Sequence, residues 1–137
     1  MCGFFGLQSY EIDKNEKIII SKKAIKLLNT RGPDSNGLVL DDNNNLTFSH
    51  NRLSILDLSN TGNQPMLSAA GRILITFNGE IYNHLEIKDE LTKKNNFNSW
   101  SGSSDTETLL QAIEIWGLEK ALEKVNGMFS FAAWDRK

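Results

Sequence analysis

Cys2 is the only cysteine in the sequence. An internal cysteine is most often an inert small hydrophobe. At position 2 a second role opens, because removal of Met1 would give Cys2 a free α-amine beside its thiol. The reference pKa of an α-amine is about 7.7–8.0 and that of a thiol about 8.5. The amine can therefore take the thiol proton near neutral pH, directly or through one water. Nucleophile and base then share one residue, as in enzymes with an N-terminal threonine. Asn78-Gly79 has two readings. One is a type I′ turn joining Leu74–Phe77 to Ile81–Tyr82. The other is an oxyanion hole, in which an Asn amide and a Gly N–H at the end of a rigid strand aim at one developing negative oxygen. Arg52 offers a planar fork for a carboxylate, and Asp105, at a helix start, could accept from an ammonium. The plainer alternatives are a solvated loop cation for Arg52 and a complement to the helix dipole for Asp105. His50 and His84 read as structural hydrogen bonders and receive no catalytic role. Ser101-Gly102-Ser103-Ser104-Asp105 faintly resembles a phosphate loop, but it lacks the glycine pair and a buried strand before it.

The elements that must position these residues are visible in the hydrophobic pattern. Strands are expected at 3–8, 37–41, 46–50, 72–78 and 127–135. The Asp41-Asp42-Asn43-Asn44-Asn45 cluster between two of them reads as a hairpin connection. Arg72–Phe77 and Met128–Trp134 are apolar on both faces, which predicts strands sandwiched between layers. Ile20, Ala24, Leu27 and Leu28 recur at helical spacing. That helix should stop near Arg31, with Gly32 in a left-handed cap and Pro33 unable to continue it. Ile87 and Leu91 mark a second, shorter helix. Leu109, Ile113 and Trp116 mark a third, opened by the capping box Ser104-Asp105-Thr106-Glu107. Leu118, Ala121, Leu122 and Val125 mark a fourth. Strands cluster at both ends with helices between, which predicts α+β with packed sheets.

Composition bounds the rest. The chain has 137 residues, 39% hydrophobic and 23% charged, which fits one soluble globular domain over 1–137 that needs no disulfide or metal to fold. A net charge of -2 without a basic stretch argues against nucleic acid. One Cys excludes a disulfide framework and a zinc site built from several thiolates, and two His leave little material for a histidine-rich metal centre. No apolar run is long enough to span a membrane. Met1–Gly6 lacks the basic and apolar regions of a signal peptide, so the cytoplasm is the default location.

Taken in order, the motifs form a set. Met1-Cys2-Gly3-Phe4-Phe5-Gly6, Arg31-Gly32-Pro33-Asp34 and His50-Asn51-Arg52-Leu53-Ser54-Ile55-Leu56-Asp57 come first. Gln64-Pro65-Met66, Asn78-Gly79-Glu80-Ile81-Tyr82-Asn83, Ser104-Asp105-Thr106-Glu107 and Gly127-Met128-Phe129-Ser130-Phe131-Ala132 follow. Along the whole chain this resembles the class II glutamine amidotransferases, in their asparagine synthetase branch. The resemblance implies the N-terminal-nucleophile hydrolase fold, a four-layer αββα sandwich. It implies that mature Cys2 attacks the side-chain amide of L-glutamine, releases ammonia and leaves a glutamyl thioester that water cleaves to glutamate. Asn78 and Gly79 match the family's oxyanion-hole residues. Arg52 matches the residue that holds the α-carboxylate, and Leu53, Ser54, Ile55 and Leu56 the pocket lining. Glu80 and Asp105 match residues at the α-amino end. Family members continue into further strands and a synthetase domain, so the sandwich is expected to be truncated on its C-terminal side at Lys137. ATP and Mg2+ belong to that absent domain, which would pass the ammonia to an activated aspartate, and no cofactor is expected in this segment. The full-length protein is expected to form a homodimer. A different acceptor, such as a sugar or peptide carboxylate, and a non-catalytic binding module are the alternative readings. On the truncation reading, Phe129, Phe131 and Trp134 should be more exposed than core residues.

Overall fold

The computed structural model describes residues 1–137. The elements run β1 (Gly3–Gln8), α1 (Lys14–Leu28), β2 (Ser35–Asp41), β3 (Leu46–Arg52), β4 (Met66–Leu67), β5 (Ile73–Ile81), α2 (His84–Asn95), α3 (Asp105–Trp116), α4 (Leu118–Lys124) and β6 (Gly127–Asp135). They build two antiparallel three-stranded sheets, ordered β1-β3-β2 and β4-β5-β6. Helix α1 lies on the first sheet and α3 on the second, with α2 and α4 packed against α3. The result is an α+β arrangement of four layers, αββα.

Side-chain alternation explains the stacking. Ile73, Ile75 and Phe77 of β5 face the helices and join Ile87, Leu91, Leu109, Leu110, Ile113 and Ala121 in the main core. Leu74, on the other face of β5, meets Leu46 and Phe48 of β3 between the sheets, with Ala132 and Trp134 of β6 beside them. Phe77 and Phe129 stack across β5 and β6 at 5.9 Å between ring centroids.

Several sequence expectations change here. Residues 78 and 79 form no turn, because β5 runs on to Ile81 and pairs with β6 along its whole length. Helix α1 ends at Leu28, capped by Asn29. Gly32 is absent from the positive-φ positions. It is needed for close approach instead, since a Cβ there would overlap the Asn51 backbone. The buried face of α1 is Lys17 and Ser21, while Leu27 is 82% exposed. The reason is the partner surface. Alternation turns Thr47, Ser49 and Asn51 of β3 toward α1, and the Ser21 and Thr47 hydroxyls bond at 3.1 Å. Ile20, Ala24 and Leu28 of the expected stripe are half-buried around this polar centre, and only Leu27 turns to solvent. Of the fourth helix's stripe only Ala121 is fully buried, with Leu118 and Leu122 in solvent. Strand β5 is sandwiched as expected, but β6 is an edge strand. Phe129, Phe131 and Trp134 are only half-buried and Met128 is exposed.

The capping box is half realised. The Ser104 hydroxyl accepts from the Glu107 amide at 3.2 Å. The Glu107 carboxylate does not return to the cap, but accepts from the Ser101 and Gly102 amides at 2.7 and 2.9 Å. The amides of the loop that resembled a phosphate cradle are thus taken by protein carboxylates, Ser103 by Asp57 at 3.0 Å.

Candidate active site

A cleft of about 290 Å3 opens where the ends of the two sheets meet the start of α3. Cys2, Arg52, Leu53, Ile55, Leu56, Asn78, Gly79, Glu80 and Asp105 all line it. Residues far apart in sequence meet because β1 begins beside the end of β3, and the end of β5 lies against them. Ser54 is the expected lining residue that stays outside. Its amide donates to Asp34 Oδ2 at 2.7 Å, which holds the segment from behind.

Cys2 is held from three directions. The Leu53 N–H donates to Cys2 Sγ at 3.4 Å, and the Sγ lies 3.7 Å from the Leu53 carbonyl that it can donate to. Arg31 Nε donates to the Cys2 carbonyl at 3.0 Å. Arg31 and Asp34 of the Arg-Gly-Pro-Asp motif therefore brace Cys2 and the segment at Ser54, a part that their types alone did not reveal. Met1 is present, 71% exposed, and itself lines the cleft.

The Asn78-Gly79 geometry follows from strand parity. Tyr82 N–H donates to Asn126 and Arg136 N–H to Arg72 at the two ends of the β5–β6 ladder. The even residues of β5 thus bond to β6, and the odd residues turn N–H and C=O to the opposite edge. There β4 is two residues long and reaches only Leu74 and Ile75. Side chains replace the missing strand. Gln64 Oε1 accepts the Phe77 N–H at 2.6 Å, His50 Nε2 bonds the Phe77 carbonyl at 3.0 Å, and Asp105 Oδ2 accepts the Ile81 N–H at 2.9 Å. Gly79 lies between them with its N–H on the same edge, directed to the cleft side. Its φ is +150°, and a Cβ would overlap the Met128 carbonyl and Phe129 Cα. Glycine is required here for both reasons.

The two charged candidates are more integrated than solvated side chains. Arg52 is 7% exposed. Its Nη1 donates to Ser59 O at 2.8 Å and Asn63 Oδ1 at 3.0 Å, and its Nη2 donates to Asp57 O. These bonds use three of the five guanidinium donors and leave Nε–H and one Nη2–H. Asp105 is 6% exposed, and its other oxygen accepts from Thr106 N at 2.8 Å. Burial raises its pKa above the usual carboxylate range; the Ile81 and Thr106 amides oppose the shift and Glu80 adds to it. Two carboxylates, Asp105 and Glu80, thus bring negative charge to one part of the cleft, which also holds the Arg52 cation.

Sequence reasoning gave no role to several lining residues. Asp57 is a hub, accepting from the Ser59 amide and hydroxyl, Thr61 Oγ1 and the Ser103 amide. The Ser59 hydroxyl and Ser103 amide hold its carboxyl well below the usual range. Gln64 and Thr106 also line the cleft. His50 keeps the structural part expected of it. Burial lowers its pKa to about 4, so it is neutral at pH 7. Among cysteine, histidine and acidic side chains, no group of three or more is placed to hold a metal. No helix is long and apolar enough to cross a membrane.

The cleft thus gathers the lone thiol, the unpaired edge of β5 at Gly79 and side chains of both charge signs. The sequence matches the glutamine amidotransferase domain family over residues 1–137. It is 38% identical to an asparagine synthetase (glutamine-hydrolysing) of Bacillus subtilis, over 99% of this chain and 21% of the relative. It is 36% identical to asparagine synthetase B of Escherichia coli, over 98% of this chain and 23% of the relative. The amidase chry2 of Gibberella zeae is 36% identical over 82% of this chain and 16% of the relative. The chain belongs to the glutamine amidotransferase domain family, and it spans about a fifth of the length of the curated relatives it matches.

Proposed function

We propose that this chain carries the glutaminase step of a glutamine-hydrolysing asparagine synthetase, with Cys2 as nucleophile once Met1 is removed. The observation that carries the reading is the meeting, in one cleft, of Cys2 with the Asn78-Gly79 donors and the charged residues Arg52, Glu80 and Asp105. The Cys2 α-amine takes the thiol proton, and Sγ attacks the side-chain carbonyl carbon of L-glutamine. Gly79 N–H and the Asn78 amide stabilise the tetrahedral oxyanion. The proton passes to the leaving nitrogen, the C–N bond breaks, and ammonia departs from a glutamyl thioester. Water then cleaves the C–S bond, giving glutamate and the free thiol. The remaining edge of Arg52 holds the substrate carboxylate, while Asp105 and Glu80 hold its ammonium. Leu53, Ser54, Ile55 and Leu56 form the pocket segment, Ser54 through its backbone anchor.

The ammonia is consumed by ATP-dependent amidation of aspartate in a synthetase domain, the only part that needs ATP and Mg2+. The whole protein is a cytoplasmic homodimer on this reading. The matching relatives include one named an amidase beside the asparagine synthetases, so the second reading keeps the glutaminase chemistry and changes the acceptor, another carboxylate amidated by a different downstream partner. The test is glutamine hydrolysis by Met1-free protein and by its Cys2→Ala variant, with a glutamine-shaped electrophile to label the thiol. Turnover should fall by several orders of magnitude in the variant, and label should reside on Cys2. Undiminished ammonia release without the thiol refutes the assignment.

A further inference from the structure

We infer that Gln64 and His50 are positioning residues that clamp the Phe77 peptide from both sides and thereby aim the Asn78-Gly79 donors. The inference rests on the glutaminase reading and deepens it. Strand β5 reaches the cleft with a neighbour on one edge only, because β4 ends opposite Ile75. A strand edge without a neighbour leaves its N–H and C=O groups to find other partners. At Phe77, immediately before the oxyanion-hole pair, both backbone groups on the free edge are taken by side chains from elsewhere. Gln64 Oε1 takes the N–H at 2.6 Å and His50 Nε2 the carbonyl at 3.0 Å.

The Gln64 clamp is itself fixed by a hydrogen bond, and His50 is held by burial. Gln64 Nε2 donates to Thr106 Oγ1 at 3.2 Å, which orients the amide so that its oxygen faces Phe77 and ties the clamp to the start of α3 beside Asp105. Gln64 is 7% exposed, Thr106 3% and His50 0%. His50 comes from β3 in the other sheet, so the Phe77 bond also links the sheets. The carbonyl is an acceptor, so His50 Nε2 carries the hydrogen and Nδ1 is left bare. Nδ1 has no protein partner, and no third residue fixes the ring. His50 lies outside the cleft lining and Gln64 commits both amide atoms to protein partners, so both act indirectly. Their effect passes through the Phe77–Asn78 peptide to the Gly79 N–H two residues on, where a displacement of about 1 Å costs on the order of a hundredfold in rate.

The experiment compares Gln64→Met, His50→Leu and His50→Gln with the parent, in the Met1-free protein at full length. Gln approximates the reach of Nε2 and keeps a donor. Readouts are kcat, KM for glutamine, affinity for the glutamine-derived aldehyde, melting temperature and exchange of the Phe77 amide. The aldehyde adds to Cys2 Sγ as a hemithioacetal whose oxygen probes the oxyanion hole. Gln64→Met and His50→Leu should lower kcat about 10- to 100-fold and weaken the aldehyde in parallel, with KM little changed. Phe77 exchange should quicken in Gln64→Met, and His50→Gln should recover most of the kcat. A kcat loss that vanishes after correction for the folded, titratable thiol overturns the positioning role, as does a loss in KM alone. If the parent neither hydrolyses glutamine nor binds the aldehyde, the glutaminase reading fails. The clamp is then judged on exchange, and Phe77 protection equal in Gln64→Met and parent overturns it.

Discussion

Replacing Asp105 by asparagine exchanges one carboxylate oxygen for an NH2 group and removes a charge. Both oxygens are occupied, Oδ2 by the Ile81 N–H at 2.9 Å and Oδ1 by the Thr106 N–H at 2.8 Å. The asparagine oxygen can satisfy only one of these, so a buried N–H is left facing an NH2. That costs about 1–3 kcal/mol of stability. The melting temperature should fall by roughly 4 °C per kcal/mol for a unit of this size. This loss arises whether or not Asp105 touches substrate, so stability alone does not report on binding. Binding does. A charge-assisted bond to the substrate ammonium contributes about 1.5–3 kcal/mol, equivalent to roughly ten- to more than a hundredfold in KM. The decisive control is the substrate analogue that lacks the α-amino group. Asp105→Asn should raise KM for glutamine strongly and change that of the deamino amide little. A lowered melting temperature with KM unchanged, or equal losses for both substrates, would refute the ammonium contact and leave Asp105 as a tie between α3 and β5.

Protein that retains Met1 should be nearly inactive, because its Cys2 nitrogen is an amide with no basicity at neutral pH and Met1 lies in the cleft; intact mass paired with turnover checks this. Gly79→Ala should lower stability by about 1–3 kcal/mol through its positive φ, and more through overlap with Met128 and Phe129. The same change should reduce kcat at least tenfold, measured by melting and ammonia release. His50 has a folded-state pKa of about 4 against 6.5 for the free side chain, chiefly through burial. Its neutral form is therefore favoured by the fold. That contribution is complete above pH 6.5 and is lost as pH falls toward 4, about 3 kcal/mol in all. Denaturant midpoints from pH 7 to 4 should show the decline, and His50→Gln should flatten it.

The sequence determined the elements and the candidate chemistry. Strands at β1, β2, β3, β5 and β6 and four helices follow from apolar periodicity, a local property of side-chain spacing. Cys2 stood out as a candidate because loss of Met1 would give it a free amine. Arg52 and Asp105 stood out because their groups suit the two ends of a zwitterion, and the fold brings all three to one cleft. Asn78-Gly79 was legible as a pair with two meanings, and strand pairing removed the turn. The dipeptide suits a hairpin turn when considered by itself, but Ser130 and Phe129 of β6 hold it inside a strand. The centre of the buried face of α1 was missed, and Leu27 wrongly included, because a helix shows its apolar stripe but not the polarity of the strand it meets. Thr47, Ser49 and Asn51 select Ser21 over Leu27. Gln64 and Thr106 carried no local signal, since a buried polar side chain gains its meaning from a partner tens of residues away. Tertiary structure decided which backbone groups were left for such side chains to satisfy. Gly79 was left with a free N–H because β4 stops short, and the side chains that replace that strand hold Phe77 and Ile81 on either side of it.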